Sequence, residues 1–200
     1  FTIGFLIALG RCVQRPAMAT ACWAGVCAGL AYATKETSII VVPAAAAAAL
    51  VAHRFSRAPG GSAGVRVAHL AAGTAAALAV AFVFYSSFFT HPSGLLQSVL
   101  AFSTYADRGV AAGPHTQPWD YYLRLLSFSS SGGLVWSEGV VLALALVGLF
   151  VVVRHPSVGF WPRYVALYSV TTAVAFSVIR YKTPWNLLPF YIGFVLLAGF

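Results

Sequence analysis

Apolar runs of about fifteen residues or more, the length scale of a bilayer crossing, recur along this chain and are separated by short clusters of Arg, Lys, Gly and Pro. That alternation predicts membrane-spanning helices over about 1–10, 17–34, 37–52, 65–89, 134–153, 164–179 and 187–200. The segment 37–52 contains Pro43 and is only sixteen residues, so at about 1.5 Å per residue it reaches ~24 Å and is expected to be kinked or shielded. In 17–34, Ala21, Gly25, Gly29 and Ala33 repeat every fourth residue. Small residues at that spacing line one face and let a second helix approach closely. A polar turn is expected over 53–64. A single large loop is expected over about 90–133. Within it Pro118 reads as a first-turn proline. Trp119, Tyr122, Leu123 and Leu126 then follow at helical spacing, and Asp120 and Arg124 can pair four residues apart, giving a surface helix over about 118–128.

Composition agrees with an integral membrane protein: 60% of the 200 residues are hydrophobic and 8% are charged. The fold expected is all-α, a polytopic transmembrane helix bundle. The chain opens and closes on Phe inside apolar runs, which reads as a fragment of a longer protein. Cys12, Cys22 and Cys27 have no zinc-ligand spacing and are read as packing residues.

The charges then orient the bundle. One side of the zigzag collects Arg11, Arg15, Arg54, Arg57, Arg66, Arg154 and Arg163 and no acid. The other collects Lys35, Arg108, Arg124, Arg180 and Lys182 with Glu36, Asp107, Asp120 and Glu138. The positive-inside rule places the purely basic face in the cytoplasm and the mixed face outside, in a multi-pass arrangement within a cell inner membrane. The net charge of +8 is largely this topogenic excess, and no basic patch of the nucleic-acid-binding kind stands out.

On the outer face Lys35, Arg180 and Lys182 are candidate ligands for a lipid phosphate, and Glu36, Glu138 and Asp107 are candidate carboxylates. Transfer of a group from a phosphate-linked donor uses both kinds: a cation for the charge growing on the departing phosphate and a carboxylate for the proton of the attacking hydroxyl. Interfacial anchoring is the competing role for each of them. No metal site is assigned; His91 and Asp107 are the residues that would serve a divalent cation, and their spacing does not support one.

Four ordered stretches carry a family likeness: Gly29-Leu30-Ala31-Tyr32-Ala33-Thr34-Lys35-Glu36-Thr37, His115-Thr116-Gln117-Pro118-Trp119-Asp120-Tyr121-Tyr122-Leu123, Trp136-Ser137-Glu138 and Tyr181-Lys182-Thr183-Pro184-Trp185-Asn186. Together they resemble the protein O-mannosyltransferase-like membrane glycosyltransferases, and most of all the prokaryotic flippase-activity-associated branch. The resemblance implies a GT-C fold that takes a sugar from a polyprenyl-phosphate donor and passes it to a protein, lipid or glycan acceptor on the outer face. It implies that the principal catalytic acid lies upstream of this stretch, so the fragment alone is expected to be inactive. Within that frame His115, Trp119, Tyr181 and Trp185 are substrate-cavity candidates whose rings can stack on a sugar; the competing roles are seating the surface helix for His115 and Trp119 and an interfacial anchor belt for Tyr181 and Trp185. A transporter or a non-catalytic scaffold for lipid-linked sugar is the alternative. A transporter is disfavoured because the charges gather at helix ends rather than inside the spans.

Overall fold

The computed structural model describes residues 1–56, 64–110, 114–131 and 133–200. Among them the regular structure is almost entirely helical: α1 (Thr2–Gln14), α2 (Met18–Thr34), α3 (Ser38–Ser56), α4 (Val67–Tyr85), α5 (Gly94–Val110), α6 (Tyr121–Ser127), α7 (Gly139–Arg154), α8 (Phe160–Val178) and α9 (Leu188–Ala198). A two-stranded hairpin, β1 (Ser129–Ser131) and β2 (Leu134–Trp136), precedes α7, and a 3₁₀ turn, Pro184–Leu187, precedes α9. The all-α class holds. Two of the described helices, α3 and α4, are both long and apolar enough to cross a membrane, while α1, α2, α7 and the segment Pro184–Ala198 are apolar but shorter. The chain divides into two compact units, Phe1–Tyr105 and Ala106–Phe200.

In the first unit the small-residue stripe of α2 meets α4, as its spacing predicts. A Cβ on Gly25 would run into the backbone of Gly73, and one on Gly29 would lie 2.6 Å from the Ala77 carbonyl oxygen and 2.8 Å from the Val80 Cβ. The helices therefore touch backbone to backbone, which gives dispersion contacts that lipid chains cannot match. α1 packs on the same α2, and α3 buries Ala44, Ala45, Ala48, Ala49 and Ala52.

Several expected boundaries shift. α3 runs on to Ser56, because His53 and Arg54 sit comfortably in a last turn whose carbonyls favour cations. Its nineteen residues reach about 28 Å, so the expected shortfall of 37–52 disappears. Of the predicted polar turn, 53–56 are helical and 57–63, including Arg57, lie outside the described residues. α4 stops at Tyr85 rather than near 89. There Ser87, Phe88 and Phe89 take positive φ values of 50°, 56° and 73°. Such a left-handed run costs about 1–2 kcal/mol per residue for a side chain with a Cβ. It is offset by buried Ser86, whose Oγ accepts the Phe89 N–H at 3.0 Å while its carbonyl accepts the His91 N–H at 2.7 Å.

The expected loop over 90–133 contains the seventeen-residue helix α5, unforeseen because its apolar residues are interrupted by Gln97, Ser98, Ser103 and Thr104. The surface helix is shorter than predicted. It begins at Tyr121 with Asp120 at its N-cap, so Pro118 lies before the helix, not in its first turn. The Asp120–Arg124 pair does form, at 2.6 Å.

In the second unit α9 packs against both α7 and α8. A Cβ on Gly148 of α7 would collide with the Leu197 carbonyl, and one on Gly193 of α9 would collide with the Ser169 side chain. Ala145, Val152, Ala166 and Leu197 form the apolar centre of this packing. The predicted span 134–153 loses its first residues to the hairpin, whereas 164–179 gains a turn at its start, from Phe160.

The backbone contact at Gly29 sets an expectation. Gly29→Val should lower the thermal unfolding midpoint in micelles, in keeping with an overpacking cost of about 1–3 kcal/mol. Gly159→Ala, where nothing lies within 4 Å of the added carbon, should leave the midpoint nearly unchanged. Equal midpoints for both variants would contradict the close α2–α4 packing.

Candidate functional site

The segment between α8 and α9 is shaped by three residue types. Ile179 leaves the helix with extended backbone, Thr183 is likewise extended, and Pro184 opens the 3₁₀ turn at a position that needs no N–H donor. Extended backbone exposes peptide groups that need partners. They find them in residues 115–117: Thr116 and Tyr181 form an antiparallel bridge, the Lys182 N–H donates to the His115 carbonyl at 2.9 Å, and the Gln117 N–H donates to the Arg180 carbonyl at 3.1 Å. Tyr122 of α6 adds a third tie, its hydroxyl donating to the Thr183 carbonyl at 3.3 Å while its ring stands edge-on to Phe190 of α9.

Lys182 lies at the centre of this arrangement and is only 2% exposed. Its ammonium donates to the Gln117 carbonyl at 3.3 Å and to the Ile179 carbonyl. An ammonium carries three protons, so one N–H is left over. Among the described residues the ion pair formed is Asp120–Arg124, and no carboxylate pairs with Lys182. Burial lowers the lysine's pKa below its ordinary value. Beside it in sequence, the buried Thr183 Oγ1 and Asn186 Oδ1 also lack a hydrogen-bond partner. Tyr122 is pushed up to about 12 by burial, opposed by its bonds to the Thr183 carbonyl and the Asn186 side chain. Unsatisfied buried polar atoms cost about 1–3 kcal/mol each, so this segment holds unused hydrogen-bonding capacity beside the cation.

The predicted site residues separate into groups. His115 and Tyr181 come together, rings edge-on at 5.1 Å, next to Lys182. Trp119, Trp185 and Arg180 lie on the same two segments with their side chains exposed. Glu138 stands before α7, where its backbone N–H donates to the Leu126 carbonyl at 2.7 Å and its carboxylate accepts the Tyr191 hydroxyl of α9. Lys35 and Glu36 belong to the first unit. Lys35 ends α2 half-buried, its pKa lowered by burial and raised in part by Glu36, and the two form no ion pair. Asp107 is exposed near the end of α5. Among the described residues no group of three or more His, Cys, Asp or Glu could hold a metal ion.

Thus three of the four stretches that carry the family likeness are within the second unit, and two of them are hydrogen-bonded to each other. Sequence reasoning missed Gln117, Tyr122, Thr183, Asn186 and Tyr191 as members. Tyr191 carried a faint signal, a lone phenol in an otherwise apolar run. No protein-family model, no curated protein and no solved structure matches the chain.

The buried charge has a pH consequence. Because the folded-state pKa of Lys182 lies below the ordinary 10.5, the unfolded state holds more protons between those two values, and stability rises with pH there. Wild type should therefore gain stability relative to Lys182→Met as the pH climbs from neutrality toward 10.5. Unfolding midpoints of both proteins across that range check this, and a constant or shrinking difference would contradict it.

Proposed function

We propose that this chain is part of a multi-pass GT-C membrane glycosyltransferase that moves a sugar from a polyprenyl-phosphate donor to an acceptor on the extracytoplasmic face. The supporting observation is the buried, unpaired ammonium of Lys182, held where the His115–Leu123 and Tyr181–Asn186 stretches join. A phosphate oxygen would take its remaining N–H and supply the missing negative charge. Arg180, exposed two residues earlier, would screen the charge that grows on the phosphate as the sugar leaves. The edge-on rings of His115 and Tyr181 offer an aromatic surface beside that phosphate for the sugar face. Trp119 and Trp185, exposed on the same segments, suit either the sugar or the membrane interface.

One observation favours a second reading, a scaffold that binds lipid-linked sugar without transferring it. The Glu138 carboxylate is already engaged by Tyr191, and Glu36 and Asp107 are exposed to solvent rather than set in a closed site. Binding and transfer measured separately distinguish the two.

The full-length protein in lipid nanodiscs, given a short-chain polyprenyl-phosphate hexose, should bind it, and Lys182→Met should weaken binding about tenfold to a hundredfold. That is the loss of one charge-assisted hydrogen bond of about 1.5–3 kcal/mol. Equal affinity in wild type and variant would contradict the phosphate role. Binding with no loss of sugar from the carrier, in the presence of acceptor-containing membrane extract, would select the scaffold.

A further inference from the structure

The helix α5, absent from the expected topology, has two differently occupied faces. Its inner face is tied into the first unit. The Ser98 hydroxyl is hydrogen-bonded to that of Tyr32 at 2.9 Å, Phe102 stacks on the Tyr32 ring at 5.8 Å, and Tyr85 at the end of α4 donates to the Tyr32 carbonyl at 2.9 Å. Its outer face begins with Leu96, Val99 and Leu100, which are 62%, 54% and 63% exposed. Residues three, four and seven apart share a helical stripe, so the same line continues through Ser103 to Asp107, both exposed. The stripe is thus apolar at one end of the helix and polar at the other.

The apolar end is continuous with a longer apolar surface. α4 is a nineteen-residue apolar helix that packs one side on α2 at Gly73, Ala77 and Val80, while its other side, with Val67, Leu70, Leu78 and Phe84 among its residues, is exposed. Across the left-handed turn the surface carries on through paired rings, Phe84 with Phe88 at 5.7 Å and Phe82 with Phe89 at 5.8 Å, and Phe88 and Phe89 are themselves exposed. Gly94 sits so close to the Tyr85 carbonyl that no Cβ would fit, which fixes the start of α5 against the end of α4.

We propose that Phe88, Phe89 and the Leu96–Val99–Leu100 stripe seat in the headgroup–acyl boundary of the bilayer, and that α5 climbs out of it, reaching water by Asp107. The occupant is lipid because the stripe extends the open surface of a helix of membrane-spanning length, and because it turns polar along its own line, as a helix leaving an interface does. α5 then holds the Tyr32 cluster, and with it the Lys35 end of α2, at the level of the headgroups. This rests on α4 being a membrane span.

Spin labels on single cysteines in a background where Cys12, Cys22 and Cys27 are replaced by Ala test it, with the full chain in phosphatidylcholine–phosphatidylglycerol nanodiscs. Accessibility to oxygen, which concentrates in lipid, is compared with accessibility to a water-soluble nickel chelate. Leu78→Cys on α4 is the reference, 55% exposed in mid-helix. Leu96→Cys, Val99→Cys and Leu100→Cys should show the oxygen-favoured ratio of Leu78→Cys. Ser103→Cys should fall between, and Asp107→Cys should be nickel-favoured. Nickel-favoured ratios at 96, 99 and 100 with an oxygen-favoured Leu78→Cys would overturn the proposal and leave the α4 span standing. Low accessibility to both reagents at 96, 99 and 100 would show protein on the stripe and also overturn it. A nickel-favoured Leu78→Cys would remove the membrane reading and this proposal together.

Discussion

An ammonium closed in by carbonyls, without a carboxylate to balance it, sets the terms for the second unit. Lys182 binds the 115–117 segment with its backbone N–H and again with its side chain, so one residue both joins two distant stretches and deposits a positive charge between them. Taking an ion out of water costs several kcal/mol even after relaxation, and carbonyl dipoles recover only part of it. A neutral residue of similar length would fill the same space more cheaply. In the proposed function, a phosphate supplies the negative charge that the carbonyls do not.

The surroundings keep that charge in place without cancelling it. The rings of Tyr122 and Phe190 and the closely packed α8 and α9 wall the segment from within the unit, and Pro184 fixes the turn that follows. Small residues serve the same end in both units. Gly25 and Gly29 bring α2 onto α4, and Gly148 and Gly193 bring α7 and α8 onto α9, so each unit has a backbone-to-backbone seam that is hard to shear. A donor group held in such a frame would need little reorganisation to bind the phosphate of the proposed function.

How much of this could be read in the sequence depended on the range of the interaction. The α2 stripe was legible because a four-residue repeat of small side chains has one structural use, and the Asp120–Arg124 pair because it is local. The helix α5 was hidden because its stripe is half polar; a periodicity that changes character along the helix resembles a loop. The ends of α3, α4 and α7 moved because side-chain and turn chemistry decide termini: His53 and Arg54 prolong one helix, the Ser86 turn stops another, and a three-residue strand displaces the start of a third. The hexapeptide Arg180–Trp185 was visible as an unusual cluster, but its pairing with residues 115–117 was not. That contact spans some sixty-five positions and is made by peptide groups, which leave no mark in side-chain pattern. The burial of Lys182 and exposure of Arg180 were not legible either: two residues apart in an extended segment they would share a face, and it is the hydrogen bonding of the Lys182 ammonium to the Gln117 and Ile179 carbonyls that turns its side chain inward.

The protonation of Lys182 itself tests the account most directly. NMR of isotope-labelled lysine in the full-length protein, reconstituted in nanodiscs and assigned with Lys182→Arg, follows its ammonium through a pH titration with and without polyprenyl phosphate. The account predicts deprotonation below the ordinary 10.5 in plain lipid and a clear upward move when the phosphate saturates the site. A lysine that titrates at or above 10.5 without ligand, or that does not respond to saturating phosphate, would contradict it.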